Sequence, residues 1–218
     1  ALCGDVANRV WPEAVPKGEA LQRHTFVEVM GFDLSSLGPV LQPLGWNEFI
    51  GDTRGRPGLS LAAHACYSTS ASLIRATKDW DRRWHAPFTI HVAEHPEEIQ
   101  FLQDGTGFCR DILEELGRWV PEWQSPGLSP VAYLDRLGVL DETSLLVHAV
   151  HLSAHDWQIV AERHSTLCFC PRSNAFLQVG RPDIETAVRL GLPAALGTDS
   201  LASNADLNLF TEAAFVLD

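Results

Sequence analysis

The sequence predicts an α/β fold built on parallel strands, and three observations carry that prediction. Short apolar runs alternate with helical stretches along nearly the whole chain. Each run is bounded by turn signals or by a helix. The 218 residues suffice for one sizeable core and are about the length of an incomplete large α/β barrel. No internal repeat, low-complexity tract or second domain interrupts the pattern, so residues 1–218 read as one domain.

Seven strands are predicted, at Leu2–Val6, Thr25–Met30, Leu59–Ala63, Phe88–Val92, Ser144–Val150, Thr166–Cys170 and Pro193–Leu196. The helices between them carry start and stop marks. Pro96 opens one, with Glu97 and Glu98 in the first turn complementing the helix dipole. Ser129-Pro130 opens another, whose Val131, Leu134 and Leu137 form one face before Gly138 ends it. Ser153 with Asp156 resembles a capping box ahead of Trp157 and Val160. A further helix is expected from Pro182 to Leu190, closed by Gly191. The longest connection, Gly105 to Asp141, holds Trp119 and Trp123 beside Pro121 and Pro126, which predicts a helical excursion with an ordered aromatic loop.

Composition narrows the function classes. A net charge of −12 repels phosphate backbones, so binding nucleic acid through a basic footprint is not expected. No apolar run approaches the roughly 20 residues that span a bilayer, so no membrane partner is expected. The first residues, Ala1-Leu2-Cys3-Gly4-Asp5, lack the basic-then-apolar order of a signal peptide. They also lack an initiator Met, which suggests a chain cut from something longer. Five cysteines without regular spacing argue for a reducing, cytoplasmic setting rather than a disulfide framework. Cys168 and Cys170 share one face of a strand and read as small buried hydrophobes; a zinc knuckle would need a second thiol pair.

In a parallel α/β barrel the active site forms where strands end at their C-terminal face. Several polar residues fall at such ends: His64, His91 with Glu94, His148, and Thr198-Asp199-Ser200. Each has an ordinary alternative. His91 and Glu94 could serve a surface or capping role, Asp199 could cap a helix, and His64 could be a strand-end hydrogen bonder. His148 and His151, three apart on one predicted strand, would face opposite sides, and His151 is assigned the structural role. Glu28 lies inside the apolar run Phe26-Val27-Glu28-Val29-Met30, and a buried charge needs a partner.

Taken in order, these segments are more specific than any one alone. His-Val-Ala-Glu (91–94), His-Ala-Val-His-Leu-Ser (148–153), Cys-Pro-Arg-Ser-Asn (170–174) and Leu-Gly-Thr-Asp-Ser (196–200) resemble the amidohydrolase superfamily. The resemblance is to its branch of chlorotriazine hydrolases, guanine deaminase and aminofutalosine-type deaminases. Ala-Ala-His-Ala-Cys-Tyr-Ser (62–68) is similar to that branch's Pro-His-Ala-Pro-Tyr-Thr, with both prolines replaced.

The resemblance implies a TIM-type (β/α)8 barrel, incomplete here. Leu2–Val6 would match the family's second strand, leaving strands two to eight without the first strand or the C-terminal small β-domain. It implies His91 and Asp199 as metal ligands, with Asp199 also taking a proton from the metal-bound water. Glu94 would protonate a ring nitrogen of the substrate. His148 would steady the developing charge or the attacking hydroxide, and His64 would contact substrate.

The family's first-strand His-x-His pair, two further ligands, occurs nowhere in this sequence. Two-metal relatives bridge their ions with a carboxylated Lys near strand four, and neither Lys17 nor Lys78 fits that place. The implied centre is therefore mononuclear, with Zn or Fe(II), a metal that this chain by itself can lack.

The implied activity of the parent protein is hydrolytic deamination of an aminated heterocycle, a purine derivative of the aminofutalosine or adenosine kind. The chain alone is expected to be inactive or nearly so. A triazine chloro- or aminohydrolase is the enzyme alternative. A barrel that has lost catalysis and only binds a ligand or partner is the non-enzyme alternative. Open strand edges lead to an expectation of aggregation, domain exchange or a homodimer that covers them.

Overall fold

The computed structural model describes residues 2–7, 22–44 and 58–217. Seven strands form one sheet in strict sequence order, each parallel to its neighbour. They are β1 (Leu2–Ala7), β2 (Gln22–Val29), β3 (Leu59–Ala65), β4 (Phe88–Val92), β5 (Ser144–His148), β6 (Thr166–Phe169) and β7 (Ala194–Leu196). Nine helices are interspersed among the described residues. They are α1 (Gly38–Leu41), α2 (Ala71–Arg83), α3 (Pro96–Asp104), α4 (Phe108–Glu115), α5 (Pro130–Leu137), α6 (Ala154–Glu162), α7 (Pro171–Phe176), α8 (Ile184–Arg189) and α9 (Leu209–Leu217). This is the expected α/β architecture, a large part of a TIM-type barrel.

The strand period of two sorts each strand into a helix-facing and an opposite face. Along β4, Phe88, Ile90 and Val92 are buried in the main core with Leu134, Leu146, Leu167 and Phe169. The alternate residues Thr89 and His91 turn the other way. A second core forms where Val27 and Val29 of β2 meet Leu61, Leu73 and Trp80.

The helix marks operate as expected. Gly138 ends α5 in the left-handed conformation, at φ 73°, and Gly105, not singled out as a helix end from the sequence, does the same for α3 at φ 79°. Ser153 and Asp156 close a reciprocal capping box on α6. The helix expected from Pro182 begins later, at Ile184, because the Asp183 side chain accepts from Thr186 N and serves as its cap. In the long connection, Phe101 stacks on Trp123 at 4.6 Å and Phe32 on Trp119 at 6.0 Å, giving the ordered aromatic cluster expected there.

Several strand bounds differ from expectation by one to three residues, and two of these differences shape the site. β5 stops at His148 rather than Val150, since His148 and Ala149 take φ of 72° and 48° and break the extended chain. His151 therefore lies off the strand, where its Nε2 meets the Val179 carbonyl at 2.7 Å. β3 continues past Ala63, but its register against β4 shifts, with Ala63 opposite Ile90 and Ala65 opposite His91. His64 is the extra residue of that bulge, and a bulge re-aims a side chain.

Lys78, weighed as a metal bridge, lies at the opposite end of the strands. Its buried ammonium donates to Asp141 Oδ1 (2.6 Å), Thr143 Oγ1 (2.8 Å) and Ser144 Oγ (2.9 Å), just ahead of β5. Lys17 falls outside the described residues.

Candidate active site

The C-terminal strand ends gather the polar residues that the sequence singled out. The imidazoles of His64, His91 and His148 form a row across β3, β4 and β5. Their centroids are separated by 5.1 Å and then 5.2 Å, and the first pair is edge-to-face at 83°. Burial pushes each of the three down to about 4, with neighbouring imidazoles adding to the effect at His64 and His91. All three are therefore neutral at neutral pH, with one ring nitrogen each available as an acceptor or ligand.

His148 is fixed from behind. Asn174, in α7 just beyond β6, donates its Nδ2 to His148 Nδ1 at 3.0 Å. That bond leaves the proton on Nε2, which faces Glu94 Oε1 at 3.6 Å. Backbone bonds tie the two strand ends together: Ala149 N donates to Val92 O, and Val150 N and His151 N both donate to Ala93 O.

Glu94 follows Ala93, whose φ of 49° turns the chain sharply after β4. Burial, then the negative charge of Asp199, lifts the Glu94 carboxyl to about 7. It is thus close to half protonated at neutral pH, the condition in which a carboxyl can both give and take a proton. The turn is held by Glu98, whose Oε2 accepts from Glu94 N at 3.2 Å. Glu98 is fully buried, its Oε1 has no partner among the described residues, and burial pushes it to about 8. The sequence marked Glu98 only as an acid of the first helical turn; its reach back to the β4 turn had no signal there.

Asp199, at φ 55° beyond β7, caps no helix. Its Oδ2 accepts from Ser173 Oγ and Ser203 Oγ, both at 2.6 Å. Burial works to raise this carboxyl, but the two hydroxyls and the His148 imidazole outweigh it and hold it below the ordinary value. Ser203 was not identified from the sequence. The neighbouring thiols of Cys168 and Cys170 face Gly197, where an added Cβ would meet the Cys170 sulfur at 3.0 Å. Both are free thiols; Cys170 is buried as expected, whereas Cys168 is only partly so.

One further carboxylate joins the row. The ligand atoms of Glu28, His64 and His91 all lie within 4.8 Å of one another, a spacing that suits one cation held by two imidazoles and a carboxylate. Asp199 is not part of that set, although its charge acts on Glu28 and His91. Burial, then Asp199, raises the Glu28 carboxyl. The strand ends therefore bring His64, His91, Glu94, His148 and Asp199 to one rim and add Glu28 to them.

Known proteins resemble this chain in sequence and in fold. An aminodeoxyfutalosine deaminase of Deinococcus radiodurans is 37% identical over 172 residues, 73% of this chain and 40% of that protein. The chain thus spans about two fifths of that relative's length. The aminofutalosine deaminase of Helicobacter pylori superposes with a TM-score of 0.80 at 23% identity, over 97% of this chain and 53% of that one. An adenosine deaminase from Xanthomonas campestris with bound zinc superposes with a TM-score of 0.63 at 23% identity, over 87% and 40% of the two chains. The profile of the amidohydrolase family matches residues 43–217, so the chain belongs to the amidohydrolase family.

Proposed function

We propose that this chain is the greater part of the barrel of a metal-dependent hydrolytic deaminase acting on an aminated purine derivative. The observation that carries the reading is Glu94: a half-buried carboxyl lifted to about 7, facing the neutral imidazole of His148 at the strand ends. The relative named aminodeoxyfutalosine deaminase, at 37% identity, supports a substrate of the adenosine-derivative class.

In this reading His91 and Asp199 hold one divalent cation, zinc or iron(II), through an imidazole nitrogen and a carboxylate oxygen. The zinc in the related adenosine deaminase supports a divalent ion. Such an ion supplies a water ionised near neutral pH. Asp199, its Oδ2 fixed by Ser173 and Ser203, takes a proton from the attacking water. Glu94 gives a proton to the ring nitrogen beside the amino-bearing carbon and then serves the departing ammonia. His148 presents its Nε2–H to the charge that develops at that carbon, and His64 lines the substrate side of the row. The free thiols among the described residues accord with the proposed cytoplasmic setting.

The test is ammonia release by the full-length protein that carries this sequence, over a panel of aminopurine nucleosides and chlorotriazines. Release from an adenosine-type compound supports the reading. Chloride release from triazines without ammonia release from any purine would replace it with the triazine-hydrolase alternative.

A further inference from the structure

We propose that Glu98 is a positioning residue for Glu94: its buried carboxyl clamps the peptide group between Ala93 and Glu94 and so aims the Glu94 carboxyl along the rim. The inference rests on the functional reading above, in which Glu94 moves the proton.

Two fastenings hold that one peptide group. Its carbonyl, Ala93 O, accepts from Val150 N at 3.1 Å and from His151 N at 2.9 Å, both in the segment just after His148. Its N–H, on Glu94, donates to Glu98 Oε2 at 3.2 Å, and the Ala93 amide makes a second, lesser bond to the same carboxyl. The peptide plane is therefore pinned to the end of β5 on one side and to α3 on the other. Without the α3 side, Ala93 at φ 49° loses a restraint on a conformation that non-glycine residues rarely adopt. Glu94 Oε1 lies 3.6 Å from His148 Nε2, and rotation of the peptide would carry it away. A displacement of about 1 Å in a reacting group can cost about 100-fold in rate.

The ordinary role for an acid at this point of a helix is a capping box, in which the third helical residue reaches back to the N-cap amide. Glu98 is that third residue and His95 is the N-cap, yet Oε2 bonds the amide one residue earlier. The bond serves the turn rather than the cap. The setting is otherwise unfavourable to a carboxyl. Glu98 is 1% exposed, and its Oε1 has no partner among the described residues. The groups that feel its charge are the thiols of Cys66 and Cys109 and the phenol of Tyr67, none of them cationic. A buried acid without a cation is costly, and the amides of the turn are the partners that it meets.

The experiment measures kcat and KM for ammonia release from an adenosine-type nucleoside by the full-length protein and its variants. Glu98→Met, which keeps the length but loses the acceptor, should lower kcat by about tenfold or more with KM within about threefold of wild type. Glu98→Gln, which keeps a carbonyl acceptor, should bring kcat back to within about threefold of wild type. A residue that acts through Glu94 adds nothing once Glu94 is disabled. The double variant Glu94→Gln/Glu98→Met should therefore be no slower than Glu94→Gln alone. Where Glu98→Met fails to fold, Glu98→Asp, shorter by one methylene, takes its place with the same expected loss. Full kcat without the acceptor, no rescue by Glu98→Gln, or losses that multiply in the double variant would overturn the clamp. With Glu94→Gln slow, each of those results leaves the deaminase reading standing. A full rate in Glu94→Gln would remove that reading and the clamp with it.

Discussion

The two ends of the same parallel strands are built on opposite principles. At the N-terminal end, Lys78 is buried but meets three acceptors, and Asp141 in turn accepts from Arg82 at 2.9 Å. Burial works to raise the Asp141 carboxyl, yet the donors around it hold it well below the ordinary carboxylate range. One oxygen of Asp81 is the exception, buried without a partner among the described residues. At the C-terminal end the chain bends through positive φ at Ala93, His148, Ala149 and Asp199, and at the other end His85 and His164 do so ahead of β4 and β6. The imidazoles at the C-terminal end are neutral, Glu94 and Glu98 are raised, and one Glu98 oxygen has no partner among the described residues. Strain and unmet polar groups persist only where surrounding structure enforces them, and they collect at functional sites. The difference lies in electrostatics: paired charges surround Asp141 at one end, while raised carboxyls and neutral imidazoles gather at the other.

Several substitutions would break or sharpen that contrast. The largest effect belongs to Glu94→Gln in the full-length protein, expected to lower kcat/KM for ammonia release by about 10²–10⁴-fold. Its denaturant midpoint should stay near that of wild type; equal rates in the two proteins would remove Glu94 from the mechanism. Next comes Lys78→Ala, which leaves Asp141 without its buried partner and should cost about 3–5 kcal/mol by denaturant unfolding. Its steady-state kinetics below the unfolding transition should be unaltered, and a selective loss of kcat would join the two ends functionally.

The pH dependence of stability separates the ends without kinetics. Glu98 is raised from 4.5 to about 8, so its contribution is complete below 4.5 and is lost as pH rises through about 8. Asp141 is depressed, so its contribution is present above its ordinary value of 3.8 and is lost as pH falls below that. Thermal melts should therefore show a decline between about pH 4.5 and 8 that Glu98→Gln flattens and a further decline below pH 3.8 that Asp141→Asn flattens. The reverse pairing would contradict the assignment. The smallest effect is expected of Ser153→Ala, which removes the α6 cap beside the functional rim and should cost about 1 kcal/mol while turnover stays unchanged.

Much of this organisation was legible in the residues. Apolar runs bounded by turn signals located all seven strands, and Ser129, Ser153 and Gly138 marked their helix ends as expected. The rim residues His64, His91, Glu94, His148 and Asp199 were legible as polar groups at strand ends. Their supports were not. Nothing in His148-Ala149 announces positive φ, because tertiary bonds to Val92 and Ala93 impose it on residues that do not favour it. Ser173 reaches Asp199 from 26 residues away, a contact that periodicity does not encode. The shift that turns His64 towards His91 is a matter of ladder register, and Glu28 acquired a setting only once three strands stood side by side.

The central claim is that a divalent cation at this rim drives deamination. Its most direct test is ammonia release from an adenosine-type nucleoside by the full-length protein, first stripped with a chelator and then reloaded with zinc or iron(II). The account predicts that release is lost on stripping and restored by about one equivalent of metal per chain. Release that continues undiminished in the stripped, metal-free protein would contradict it.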